Sequence, residues 1–250
     1  MNEERRTYER LLVEREHRVR SSPSPDRLDV AGYGRCLMFF GRFREALDAF
    51  WLANRLADME APLEGSRGTY FEVIGTLYWL LQDRSKAIQM WRAACDGILD
   101  GTIRYADLAG GAEQGLLLWY GAVTQGDQAQ LAFARKYLRR LARRKMHITA
   151  WPGPLALHLL GQVSCGDVLL AGRWGTSELS KAITMSRADI LARREIIDAL
   201  FYFGVKYRTD GEEDQCKDML RLCASLENPG VEDEWYLARH ELGLPMLADP

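Results

Sequence analysis

The sequence predicts an all-α protein, and three observations carry that prediction. Apolar residues recur at spacings of three and four and are interrupted by Gly, Asp or Pro roughly every 12 to 18 residues, the rhythm of amphipathic helices joined by short turns. Strand signals are nearly missing: no sustained alternation of apolar and polar residues runs along the chain, and no Asn-Gly or Asp-Gly turn joins two β-branched runs. Finally, the chain resembles itself, with Gly34 followed by Ala46 and Gly75 by Ala87 at one common spacing.

Taken from the N-terminus, residues 3 to 20 alternate glutamates with arginines, including the i,i+4 pair Glu14 and Arg18, and carry a thin apolar stripe through Tyr8, Leu11 and Leu12. This predicts a solvated helical arm over 1–20. Pro23 and Pro25 end it, and Asp26 is placed to cap the next helix, so 21–26 is a linker. The remainder, 26–250, reads as one helical domain. Within 33–53, Gly34, Leu37, Gly41, Ala46, Phe50 and Ala53 mark a helix pair; within 74–94, Gly75, Tyr78, Ala87, Trp91 and Ala94 hold the same offsets. Gly204, Tyr207, Gly211, Cys216, Leu220 and Cys223 repeat them near the C-terminus, and a weaker echo joins SKAIQMWRA at 85–93 to SKAITMSRA at 180–188.

Two segments interrupt the period. Residues 97–126 are rich in glycine, with a buried helix expected through Leu116, Leu117, Leu118, Trp119 and Tyr120 and a tight loop at Asp107, Gly110 and Gly111, where paired glycines supply positive φ. Residues 151–176 hold Trp151, Pro152, Pro154, Gly161, Gly166, Gly172, Trp174 and Gly175 and are expected to be irregular. A last helix begins near residue 231.

The three Gly-to-Ala/Cys spacings resemble the tetratricopeptide repeat, whose L-G-x2-Y then A-x3-F pattern is met with the same gap between Gly and the small residue each time. The resemblance covers 28–58, 68–96 and 195–226. It departs from the family in that the two N-terminal copies lie further apart than the family's repeat of about 34 residues, and Asp58 stands where Pro usually ends the second helix, with Pro62 later. What the resemblance implies is an irregular right-handed superhelix of antiparallel helix pairs with a concave face that binds a peptide or folded partner, without catalysis and without a cofactor.

Composition narrows the function classes. A net charge of -2 and a pI near 6.1 argue against a general nucleic-acid or membrane-surface binder. No signal-peptide pattern opens the chain and no long apolar run crosses it, so the expected location is cytoplasmic and no membrane partner is expected. Cys36, Cys95, Cys165, Cys216 and Cys223 are odd in number and contain no CxxC, which predicts reduced core thiols. Gly161 to Gly166 is followed by Asp167 where a phosphate loop needs Lys, and His17, His147, His158 and His240 form no metal-ligand spacing. His158 and Cys165, seven apart, are expected to share one face of a helix as part of a core stripe.

Two charged regions are the candidate partner-binding sites. The first is 135–145, with seven basic residues in RKYLRRLARRK and no acid from 128 to 166. On one continuous helix Arg135, Arg139 and Arg143 form one line and Lys136, Arg140 and Arg144 a line beside it, while Tyr137, Leu138 and Leu141 face inward. Such a ridge suits phosphates, RNA or an acidic protein surface, or is a solvated face that complements a helix C-terminus. The second is the acidic stretch 209–241, where Glu212, Glu213 and Asp214 open one helix and Glu232, Asp233 and Glu234 open the last. Negative charge suits helix N-termini, and the same residues also suit a basic partner.

A compact Arg- and Ala-rich chain with degenerate repeats also resembles bacterial immunity proteins, which implies a cognate toxin domain as the protein partner. A peptide-responsive regulator or adaptor, and a nucleic-acid or phospholigand binder using the basic helix 135–145, stand as the alternatives.

Overall fold

In a computed structural model the residues described are 3–60, 68, 70–103, 108–187, 189–226 and 232–246. The all-α expectation holds: fourteen helices and no strand occur among them. The chain divides into two compact units, residues 1–105 with 245–250 and residues 106–244.

The first unit contains α1 (Glu3–Ser21), α2 (Arg27–Phe39), α3 (Phe43–Glu60), α4 (Phe71–Leu80) and α5 (Arg84–Asp100). α1 is docked on α2. The Tyr8 ring stacks on Phe39 with centroids 3.7 Å apart, and Asp29 accepts from both Arg15 (2.6 Å) and Arg18 (3.3 Å). Asp26 caps α2 as its position predicts, accepting from the backbone of Leu28 and Asp29. α2 pairs with α3 and α4 with α5, and in each pair a glycine of the first helix lies against a large ring of the second. A Cβ on Gly34 would fall 2.8 Å from Phe50, and one on Gly75 2.5 Å from the Trp91 indole. Phe50, Trp79 and Trp91 are buried as repeat packing requires, whereas Trp51 stays half-buried and donates to the Tyr78 hydroxyl at 3.2 Å.

The second unit contains α6 (Ala112–Gln125), α7 (Gln128–Leu141), α8 (Lys145–Thr149), α9 (Gly153–Leu159), α10 (Cys165–Ala171), α11 (Leu179–Ser186), α12 (Ile190–Thr209), α13 (Glu213–Ser225) and α14 (Asp233–Glu241). α12 is its axis: residues 195–205 are buried on every side, and α6, α9, α11, α13 and α14 pack around it. α6 pairs with α7, and α12 with α13.

One turn closes all four hairpins. The first helix ends on a residue in the left-handed region, and the next residue's N–H reaches back to the carbonyl five positions earlier. These bonds are Arg42 to Leu37 (2.9 Å), Asp83 to Tyr78 (2.9 Å), Asp127 to Ala122 (2.8 Å) and Glu212 to Tyr207 (2.8 Å). Gly41, Gly126 and Gly211 take that conformation without steric cost, but Gln82 at φ 67° does not. Because every turn has the same length, all four pairs share one register.

The interruptions prove smaller than the sequence suggests. Residues 97–100 complete α5 and 112–125 form α6, whose Leu116 to Tyr120 are buried as expected. Gly110 (φ 62°) and Gly111 (φ 82°) turn the chain into α6, and Asp107 lies outside the described residues, as do Pro62 and residue 231. Between Lys145 and Ser186 the chain forms the short helices α8 to α11. The echo at 180 falls in the same helical register as its counterpart at 85: each window starts two residues after an N-cap, Glu178 or Asp83, and Ala182 and Ala87 are both fully buried.

Candidate functional site

The basic segment is not one straight ridge. α7 stops at Leu141, so Arg143 lies in the following turn and Arg144 caps α8 in extended conformation. Arg143 and Arg144 therefore leave the helical lines on which Arg139 and Arg140 stand. Arg135 is half-buried with its guanidinium over the Trp119 ring, 5.2 Å from the centroid. Arg139, Arg140, Arg143 and Arg144 are exposed and make no ion pair with any described residue. Arg139 also walls a cavity of about 190 Å³ with Arg135, Trp119 and Lys206, the last ion-paired to Asp210.

The acidic region divides, and its expected surface is largely lost. Glu212, Glu213 and Asp214 are exposed at the start of α13, but Glu213 is held by Arg208 in a two-pronged pair (3.0 and 2.9 Å), which lowers its carboxyl pKa. Arg208 also reaches Glu241 at 3.2 Å and Thr124 at 3.1 Å, tying α12 to α14 and α6. Glu232, Asp233 and Glu234 do open α14, yet they are only 5%, 1% and 1% exposed. The sequence placed these three on an acidic surface; the structure buries them, because α14 lies with its N-terminal turn against α12 and the side chains following it, Trp235 to Ala238, fill the core.

That burial assembles a cluster the sequence does not announce. Arg194, Asp198 and Tyr202 stand four residues apart on one face of α12, and α14 supplies Glu232, Asp233 and Glu234. Glu113, in the first turn of α6, completes it, its carboxylate oxygen lying with those of Glu232 and Glu234 inside a 4.8 Å span. Arg194 Nε donates to Glu232 Oε1, the Tyr202 hydroxyl to Glu234 Oε1 at 2.7 Å, and the Trp151 indole to Asp198 Oδ2 at 2.8 Å. Arg173 satisfies the neighbouring Glu195 with its backbone N–H (3.0 Å) and Nε (2.9 Å). Asp198 Oδ1 and Glu234 Oε2 are buried with no hydrogen-bond partner among the described residues. Glu113, Asp198, Arg194 and Glu232 wall a cavity of about 200 Å³.

Charge and burial act together on these groups. Loss of water raises the Asp198 carboxyl well above its ordinary range, and the charges of Glu232, Glu234 and Glu113 raise it further against the Trp151 hydrogen bond. Glu234 is raised in the same way, first by burial and then by Glu113, Glu232 and Asp233, with the Tyr202 bond opposing. Burial works against the Arg194 charge, but Glu232 and Asp198 outweigh it and its pKa rises.

His158 and Cys165 meet, though not on one helix. They lie on α9 and α10, with Cys165 Sγ 3.7 Å from His158 Nε2 across the intervening turn, and His158 Nδ1 faces the Val163 carbonyl at 3.1 Å. Burial raises the thiol and lowers the imidazole, so both are held neutral. A thiolate nucleophile needs the opposite electrostatics. Of the five cysteines, Cys165 alone is not buried. Burial drives Cys216 up to about 11.

No helix among the described residues is long and apolar enough to cross a membrane. Comparison of the chain with protein-family models, with curated proteins and with solved structures finds no match in any of the three.

Proposed function

We propose that the chain is a non-catalytic binding protein of tetratricopeptide-like construction that engages an acidic protein partner. The observation that carries this reading is the run of exposed arginines without counter-ions among the described residues, Arg139, Arg140, Arg143 and Arg144, in a chain whose other guanidinium groups are in many cases paired within the fold. Four unpaired guanidinium groups on a helix end and its turn offer forked donors to carboxylates. A protein partner is favoured over nucleic acid by the net charge of -2 and by an apolar surface in the same unit. There Met185, Ile190 and Leu191 are exposed near a cavity of about 380 Å³ walled by Ile183, Leu222, Arg187 and Arg193. Apolar side chains mixed with arginine are the composition of protein interfaces.

In its most specific form the reading makes the partner a toxin domain that the chain neutralises. Co-purification with the product of the adjacent gene tests this, with Arg139→Glu and Arg143→Glu combined expected to weaken binding at least tenfold and added salt to weaken it in the wild type. Capture unaffected by the double reversal removes the arginines from the reading, and retention of RNA or DNA by the wild type at low salt replaces the protein partner with a nucleic acid.

A further inference from the structure

We propose that Glu113, Glu232 and Glu234 bind one divalent cation of the hard, oxygen-seeking class, Ca2+, Mn2+ or Mg2+. Their carboxylate oxygens already lie within 4.8 Å of one another, which is the span across a single ion at oxygen distances of about 2.1 to 2.4 Å. No backbone movement is needed to close the site. The group holds neither imidazole nor thiolate, so its donors select hard ions over zinc or copper.

Acidic residues at the starts of α6 and α14 have a simpler use as partners of the helix dipoles, but exposed carboxylates serve that purpose equally. Two further observations point to a ligand. Glu234, 1% exposed and one of the three, keeps Oε2 buried with no hydrogen-bond partner among the described residues, and so does Asp198 with Oδ1. The charge balance points the same way: Arg194 bonds one oxygen of Glu232, and neither Asp198 nor Glu234 forms an ion pair with a described Lys or Arg. Buried carboxylates in such excess demand protons or a cation. The cavity of about 200 Å³, walled by Glu113, Glu232 and Asp198, gives the ion a route in and has room for the waters that complete its coordination.

Terbium is the probe, because it replaces calcium at oxygen sites and is sensitised by nearby indole, and the cavity wall includes Trp151. The expected result is sensitised luminescence saturating at one Tb3+ per chain, reversed by Ca2+ or Mn2+, and a rise in Tm of about 5 °C at a hundredfold excess of Ca2+ over its Kd. Glu234→Gln and, separately, the half-buried Glu113→Gln should each weaken Tb3+ binding at least tenfold, while Glu212→Gln at the surface leaves it unchanged. Trp151→Phe should remove the sensitised signal and keep the Ca2+-dependent rise in Tm. The proposal is overturned if wild-type protein shows neither luminescence nor a shift with millimolar Ca2+, Mg2+ or Mn2+. It is equally overturned if both glutamine variants fold and bind Tb3+ as the wild type does; should either misfold, the wild-type titration alone decides.

Discussion

The guanidinium of Arg135 lies over the indole of Trp119, 5.2 Å from its centroid, at the hairpin position where the other pairs set a glycine against a large apolar side chain. Trp119 stands seven residues before Gly126 and Arg135 nine after it. Gly34 and Phe50 hold those offsets about Gly41, Gly75 and Trp91 about Gln82, and Gly204 and Leu220 about Gly211. The α6–α7 pair is thus built on the same register, with the bulk moved from the second helix to the first and a flexible cation laid over it.

Arg135 consequently serves packing, and Arg139 does not. Replacing Arg135 by Ala should cost about 0.5–2 kcal/mol, through the lost ring contact and the exposed indole face. Arg139→Ala, at an exposed and unpaired position, should change stability by less than about 0.5 kcal/mol. Urea denaturation of the two variants separates them, and an equal loss from both would place Arg139 in the fold as well.

Close approach at the glycines gives a second contrast. A methyl group on Gly75 would meet the Trp91 indole at 2.5 Å, and that ring is pinned by its bond to the Glu72 carbonyl at 3.0 Å. Overpacking of about 1–3 kcal/mol therefore exceeds the gain of about 1 kcal/mol in helix propensity, and Gly75→Ala should destabilise. At Gly204 the nearest atoms are the Cys216 carbonyl oxygen at 3.2 Å and the Met219 Cβ at 3.4 Å. There the two effects nearly cancel, and thermal unfolding should place Gly204→Ala within about 1 kcal/mol of wild type.

What could be read in the sequence was local. The offsets from Gly34 to Phe50 and Gly75 to Trp91 identify two hairpins because small-against-large packing is written in residue size, and Asp26 identifies a cap because its bonds run to residues two and three positions on. The α6–α7 pair escaped because Trp119 and Arg135 invert that size pattern; Gly126-Asp127, a left-handed turn residue followed by a cap, was the available signal. The buried cluster escaped for another reason. Glu232, Asp233 and Glu234 read as a charged helix start, and only the packing of α6, α12 and α14 brings Glu113 and Asp198 to them from distant parts of the chain. A spacing of four between Arg194 and Asp198 marks a shared helix face and says nothing of the three carboxylates beside it.

The His158–Cys165 contact predicts a sluggish thiol. Native protein should give one titratable thiol with an aromatic disulfide reagent and five after denaturation, since the other four cysteines are buried. With the Cys165 pKa raised by burial, its thiolate fraction at neutral pH falls below that of a free thiol of pKa about 8.5, and its rate should keep climbing as pH passes that value. A rate at pH 7 faster than that of glutathione would mean that His158 withdraws the proton, and would reopen nucleophilic chemistry at this pair.

The buried carboxyls predict an inverted pH dependence in metal-free, chelator-treated protein. Asp198 and Glu234 have folded-state pKa values above those of the unfolded chain, so between the two values the native state holds more protons than the unfolded state. Their contribution to stability is complete below the unfolded carboxyl range near pH 4 and is lost as pH rises through the folded values. Glu234→Gln keeps an acceptor for the Tyr202 hydroxyl and removes the ionisation. Its Tm relative to wild type should therefore increase from pH 5 to pH 8, the variant becoming the more stable protein at the upper end. A difference in Tm that stays constant across that window would show that Glu234 does not titrate there, and that its oxygens are neutralised by a group already within the fold.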